Sequence, residues 1–222
     1  MENNKVTVVF TSCGRFDFLN RTIESFMKFN EYPIEKFIVI DNGMLPDTYD
    51  IIKNMFENTD NVQIIVNEEN IGQVGSIDKA YGLIDTEYIF HCEDDWEFYD
   101  SGFIDLSVDV LNNYPNVGNV IIRLRFDGEK GSMHPITGVY TTPNGTIFHV
   151  YVQNVFNTWH GFSWNPGLRR LSDYNRMKPY KLYGNEQGMN RKMKELEYIA
   201  VCLEKQYCKH IGTNSITLKS NQ

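Results

Sequence analysis

No stretch of this chain approaches the roughly 18 to 20 consecutive apolar residues of a membrane-spanning helix. Residues 1–5 are mostly polar and lead straight into Val6-Thr7-Val8-Val9-Phe10. Neither a membrane span nor a signal peptide is expected, and a cytoplasmic location is. Cysteine is scarce: Cys13, Cys92, Cys202 and Cys208 show no CxxC spacing. The first three lie in or beside apolar runs, the setting of buried thiols in a reducing compartment. Basic residues are outnumbered, 21 Lys and Arg against 29 Asp and Glu, giving a formal net charge of −8. That balance repels polynucleotides and anionic bilayers, so nucleic acid is not an expected partner. A small anionic substrate survives the exclusion, because a divalent cation held by carboxylates inverts the local field. The GxGxxG fingerprint is missing after the first apolar run, which argues against a nicotinamide or flavin site.

What is present belongs to a folded domain. Hydrophobic residues make up 41% and aromatics 14% of 222 residues, enough for one sizeable core and one domain. Short β-branched or aromatic runs alternate with longer amphipathic segments in the first half, the pattern of strands joined by crossover helices. Strands are expected over 5–12, 36–40, 61–66 and 87–92, and helices over 16–30, 47–56 and 73–84. In the first helix Phe18, Leu19, Ile23, Phe26 and Met27 recur at intervals of three and four. The alternation then fades. A helix over 103–111, a strand over 119–124 and a hairpin over 133–155 divided by Thr142-Pro143-Asn144-Gly145 are expected. An aromatic, glycine-containing loop over 159–170, a helix over 186–198 and a buried segment over 198–203 complete the pattern.

The chemistry gathers at Glu93-Asp94-Asp95, which follow Tyr88-Ile89-Phe90-His91-Cys92. This places acids at the carboxyl end of a strand, where open parallel sheets form their ligand crevice. Adjacent carboxylates repel one another unless a cation, a proton or hydrogen-bond donors relieve them. Mg²⁺ or Mn²⁺ suits such oxygen ligands, and the phosphates of a substrate complete the coordination. An isolated acidic triplet is more often a solvated turn; the apolar strand before it and Trp96 after it weigh toward a site.

With these residues the sequence resembles the GT-A glycosyltransferases, especially family 2 and its relatives. The resemblance implies an α/β fold of GT-A type: a mostly parallel central sheet with flanking helices and a smaller acceptor-side half. A single domain would span 1–222, with 1–100 as the nucleotide-sugar half and 101–222 as the acceptor half. It implies sugar transfer from a nucleotide diphosphate donor, a UDP-sugar by preference, to a hydroxyl of a glycan, glycoprotein or other acceptor, with inversion. Asp95 would then bind metal, with Asp94 and Glu93 reaching the ribose or donor sugar. Thr11, Ser12 and Arg15 resemble the first nucleotide-binding loop, and Asp41 the base-contacting acid; the alternative for Asp41 is a turn residue before Asn42-Gly43. Asn70-Ile71-Gly72 resembles the family's N-x-G loop, followed by Ser76 and, more weakly, Asp78 and Lys79, which can equally cap and solvate the helix.

On the acceptor side Trp159 and Trp164 would stack on sugar faces, or else pack in the core, and Arg169 or Arg170 would steady the departing diphosphate. Glu186, after Gly184-Asn185, resembles the family's catalytic acid and would act as general base; a helix N-terminal Glu favoured by the dipole is its alternative. His210 resembles a late metal-binding histidine, whereas His91, His134, His149 and His160 receive no metal role. A nucleotidyltransferase would need a more glycine-rich opening loop than 11–15. A silent nucleotide-sugar or carbohydrate-binding domain is the other alternative.

Overall fold

The computed structural model describes residues 4–123, 136–151 and 161–212. Four strands, β1 (Val6–Ser12), β2 (Lys36–Asp41), β3 (Val62–Val66) and β4 (Tyr88–Glu93), pair in parallel in the order β3-β2-β1-β4. They are joined by helices α1 (Phe16–Phe29), α2 (Thr48–Met55) and α3 (Gly72–Tyr81). A short strand β5 (Trp96–Phe98) and helix α4 (Phe103–Asn113) lead to β6 (Val117–Ile121). The expected hairpin forms as β7 (Ile136–Thr141) and β8 (Ile147–Tyr151). Its turn is closed by the Thr142 N–H on the Thr146 carbonyl at 2.9 Å, and its outer residues lie outside the described stretch.

Strand β9 (Gly167–Arg170) enters the sheet antiparallel between β4 and β6, where the sequence suggested the end of a loop. Two arginines after Pro166 carry no strand signal. What admits them is Gly167, since a Cβ there would collide with the Val120 carbonyl of β6. Helix α5 (Leu171–Met177), a 3-10 turn (Tyr180–Tyr183), helix α6 (Glu186–Glu195), β10 (Ile199–Leu203) and β11 (Cys208–His210) follow. The full sheet runs β3-β2-β1-β4-β9-β6-β10-β8-β7, with β8 and β9 opposed to the other strands, so the architecture is α/β with a mostly parallel sheet.

Alternation along the strands sorts the core into two layers. Val6, Val8 and Phe10 of β1 with Phe90 of β4 face α1, α2 and α4, and Phe26 of α1 sits at the centre of that layer. Its ring lies 5.3 to 6.2 Å from those of Phe10, Phe37, Phe90, Phe98 and Phe103. Val9 and Ile89 face the opposite layer, with Ile77 and Tyr81 of α3, Tyr174 of α5 and Met189 and Met193 of α6. Burial on both faces makes the parallel strands rigid, so the residues just beyond their carboxyl ends are held by the sheet.

Candidate functional site

In register, Ser12 lies opposite Asp41 and Thr11 opposite Glu93, so β1, β2 and β4 end together. Thr11 and Ser12 are buried there. The acidic run turns from β4 into β5, anchored from below by α1: the Thr22 hydroxyl donates to the Asp94 carbonyl at 2.8 Å and accepts from the Trp96 N–H at 3.0 Å. This fixes the backbone of the acids independently of what their side chains hold.

Arg15, from the loop after β1, forks across both aspartates. Its Nε donates to Asp94 Oδ2 at 3.1 Å and its Nη2 contacts Asp94 Oδ1 and, at 2.9 Å, Asp95 Oδ2. Burial lifts the Asp94 carboxyl above its ordinary range, and the Arg15 hydrogen bonds oppose that lift. Asp95 Oδ2 also stands 3.2 Å from His210 Nε2. His210 arrives through β11, which pairs antiparallel with β5 and sets His210 opposite Trp96; the two rings are 5.1 Å apart.

Among the described residues no three His, Cys, Asp or Glu side chains form a ready metal cluster. The pair Asp95 and His210 nevertheless suits a divalent ion in its chemistry, one carboxylate oxygen and one imidazole nitrogen on facing elements. Gly212 borders the same oxygen so closely that a Cβ would strike Asp95 Oδ2. Asp95 and His210 are therefore the described residues whose chemistry fits Mn²⁺ or Mg²⁺, at a carboxylate that Arg15 contacts.

Glu93 faces the opposite side of the strand, where Gln73 Nε2 of α3 donates to it at 2.7 Å. Burial, then the charges of Asp95 and Glu186, push its carboxyl up to about 8. A raised folded value for an acid means that the protonated form is preferred. The associated stability is fully present below the ordinary value of 4.5 and is lost as pH rises through about 8. In chelator, the melting temperature is therefore expected to fall across pH 5 to 8 more steeply for the wild type than for Glu93→Gln; parallel profiles would contradict this assignment.

Glu186 opens α6, capped by the Asn185 side chain accepting from the Gly188 N–H at 3.0 Å. Its Oε1 accepts from the Trp164 N–H at 2.8 Å and the Ser163 hydroxyl at 3.1 Å. The strap carrying these donors is itself tied to α6 by Asn190. This buried side chain accepts from the Phe162 N–H at 2.8 Å and donates to the Glu186 carbonyl at 2.7 Å. Ser163 and Asn190 did not emerge from the sequence, because only the meeting of strap and helix gives them a task.

Several expected residues take other places. Asp41 has no exposed surface, and its carboxylate accepts from the Gly14 and Gly43 N–H groups, each at 2.8 Å, so that it clamps two loops. Asn70 and Ser76 join a side-chain network. Asn42 donates to Asn70 at 2.5 Å and accepts from Asn67, which in turn donates to Ser76 at 3.1 Å. Gly72, at a φ of 74°, starts α3 beside it, where a residue without a Cβ bears no strain. Arg170 reaches the carbonyls of Leu111, Tyr114 and Val117 and the carboxylate of Asp173, closing the end of α4. Trp164 and Arg169 are buried in the second core layer. Neither arginine is available to a diphosphate, and the Trp164 ring is not a sugar platform. Trp159 lies outside the described residues.

The profile of glycosyl transferase family 2 matches residues 7–177. The chain belongs to glycosyl transferase family 2. Similar solved structures share the GT-A fold. One is a mannosyltransferase from Pyrobaculum calidifontis in complex with GDP-Man and Mn²⁺, with a TM-score of 0.68 at 14% identity, covering 95% of this chain and 58% of that one. Another is S. aureus TarS 1-349 in complex with UDP-GlcNAc, with a TM-score of 0.68 at 13% identity, covering 98% and 61%. The chain thus spans about three fifths of the length of each of these two chains. No curated protein matches it in sequence. No helix among the described residues is long and apolar enough to cross a membrane.

Proposed function

We propose that this chain transfers a sugar from a nucleoside diphosphate donor to an acceptor hydroxyl, with the diphosphate at the turn after β4 and Glu186 as general base. The observation that carries the reading is the meeting of the β4 acids with His210 on one side and the oriented Glu186 carboxylate on the other. That the Glu186 charge helps to raise the Glu93 carboxyl supports placing the two acids at one cleft.

In this arrangement Asp95 and His210 would hold Mn²⁺ or Mg²⁺, which supplies electrostatic relief for the charge growing on the departing diphosphate. Arg15 leaves the aspartates and turns its guanidinium toward phosphate oxygens, a bidentate contact that its planar fork favours. Thr11 and Ser12 line the loop floor, with Asp94 and Glu93 on the donor side. The Ser163 and Trp164 donors fix one oxygen of Glu186, leaving Oε2 for the acceptor proton. The acceptor oxygen forms its bond to the anomeric carbon as the bond to the diphosphate oxygen breaks. The acceptor proton passes to Glu186, and attack opposite the leaving group gives inversion.

Similar structures carry both a guanosine and a uridine donor. The uridine preference here rests on the family resemblance, because Asp41 faces its own loops.

A thermal-shift panel of UDP- and GDP-sugars with Mn²⁺ tests the reading. A donor at about 100 times its dissociation constant stabilises the fold by about 2.7 kcal/mol, which raises the melting temperature by several degrees. Chelator should remove most of that rise. If no nucleotide sugar shifts the transition with the metal present, the donor site is wrongly placed.

A further inference from the structure

Arg169 is the anomaly of the molecule. It projects from β9 into the second core layer, 1% exposed, and among the described residues none of its three guanidinium nitrogens meets a hydrogen-bond partner. Around it, Tyr81 Oη and both ring nitrogens of His91 are likewise enclosed and unbonded. The rings of Phe162 and Trp164 lie 5.2 and 5.8 Å from the guanidinium carbon. The His91 ring is 5.9 Å from both Tyr81 and Trp164. Aromatic faces soften a cation's burial but offer it no lone pair.

The neighbouring carboxylates are already engaged. Asp78 accepts from the Tyr174 hydroxyl and from the Tyr180 and Lys181 N–H groups. Asp173 accepts from Arg170 and the Tyr198 hydroxyl. A guanidinium brings five N–H donors and no acceptor, and a phenol and a neutral imidazole each bring one donor and one acceptor, so the cluster is rich in donors, and among the described residues no carboxylate stands in hydrogen-bond contact with the guanidinium. Such a buried charge is strongly unfavourable unless it is paired. A water molecule brings as many donors as acceptors and no charge. A monoanion supplies acceptors and neutralises the guanidinium, while a dianion would leave the pocket charged in the opposite sense.

We propose that Arg169, with Tyr81 Oη and a ring nitrogen of His91, forms an internal site for one small monovalent inorganic anion of the chloride class. The site lies on the same face of β4 as Glu93, two residues behind it, and it does not depend on the transfer reaction. It sits directly behind the strap whose Trp164 N–H orients Glu186. The bound anion therefore braces the wall that positions the proposed base.

Crystals grown in bromide in place of chloride, with diffraction recorded at the bromine edge, test the site. An anomalous peak is expected against the Arg169 guanidinium. Melting in sodium chloride is expected to exceed that in sodium gluconate of equal ionic strength by roughly 2 to 4 °C. Arg169→Met removes the charge at similar length and should melt identically in the two salts. Tyr81→Phe, which keeps the fold's packing, should retain the peak with a smaller salt difference, and it carries the comparison if the methionine variant does not fold. A wild-type cluster filled by solvent with no anomalous signal overturns the proposal. So does equal melting of the wild type in both salts, or a chloride response that persists unchanged in Arg169→Met.

Discussion

Glu186→Gln is expected to lower transfer by about 10²- to 10⁴-fold, the range a positioned general base contributes, while leaving donor binding within a fewfold of wild type. The amide keeps the size of the side chain and retains a carbonyl oxygen for the Ser163 and Trp164 donors that now hold Oε1 at 3.1 and 2.8 Å. What it loses is the capacity to take a proton. A fall in kcat with unchanged donor affinity separates this from a folding defect, since misfolding would lower both. Measurement of transfer rate alongside donor-dependent thermal shift reads the two separately. Undiminished transfer by Glu186→Gln would remove Glu186 from the mechanism.

The second large effect concerns the aspartates. Asp95→Asn is expected to weaken Mn²⁺-supported donor binding by more than the roughly 10- to 100-fold that loss of an outer-shell partner costs a metal site. Arg15→Gln should act in two directions. Without donor it should tighten Mn²⁺ binding, because the guanidinium now 2.9 Å from Asp95 Oδ2 competes for the same oxygen. With donor it should weaken the complex, because a phosphate contact is lost. Titrations of Mn²⁺ with and without nucleoside diphosphate, followed by electron paramagnetic resonance of the free ion, would show the crossing. A variant that weakens Mn²⁺ binding in both titrations would show that Arg15 does not guard the carboxylates.

Much of this architecture was legible in the residues, and the reasons are physical. The parallel half announces itself because strands buried on both faces must be continuous apolar runs, as at Val6–Ser12, Lys36–Asp41 and Tyr88–Glu93. The helix between β1 and β2 shows its buried stripe at Leu19, Ile23 and Phe26. The location of the acidic run at a strand end followed from the same pattern. Strand β9 was hidden because its place depends on a missing side chain at Gly167 and on neighbours far along the chain. Strands β5 and β11 are three residues each, too short for periodicity to mark.

At the site, residue type suggested chemistry more readily than geometry. Asp41 has the composition of a ligand-binding acid, yet the Gly14 and Gly43 N–H groups claim its oxygens. Arg169 and Arg170 look alike in sequence and differ completely in environment. One finds three carbonyls and a carboxylate, and the other, among the described residues, lies against aromatic faces with no hydrogen-bond partner. The fork of Arg15 across Asp94 and Asp95 joins positions 79 residues apart in the case of Asp94, a closure that local pattern does not encode. His210 entered through family resemblance alone, and β11 brings it to Asp95.

Crystals grown with a nucleoside diphosphate and Mn²⁺ test the central claim most directly. The account predicts an anomalous manganese peak between Asp95 Oδ2 and His210 Nε2, diphosphate oxygens completing its shell, and the Arg15 guanidinium swung away from both aspartates. A nucleotide bound elsewhere, with Arg15 still bridging Asp94 and Asp95 and no metal beside His210, would contradict it.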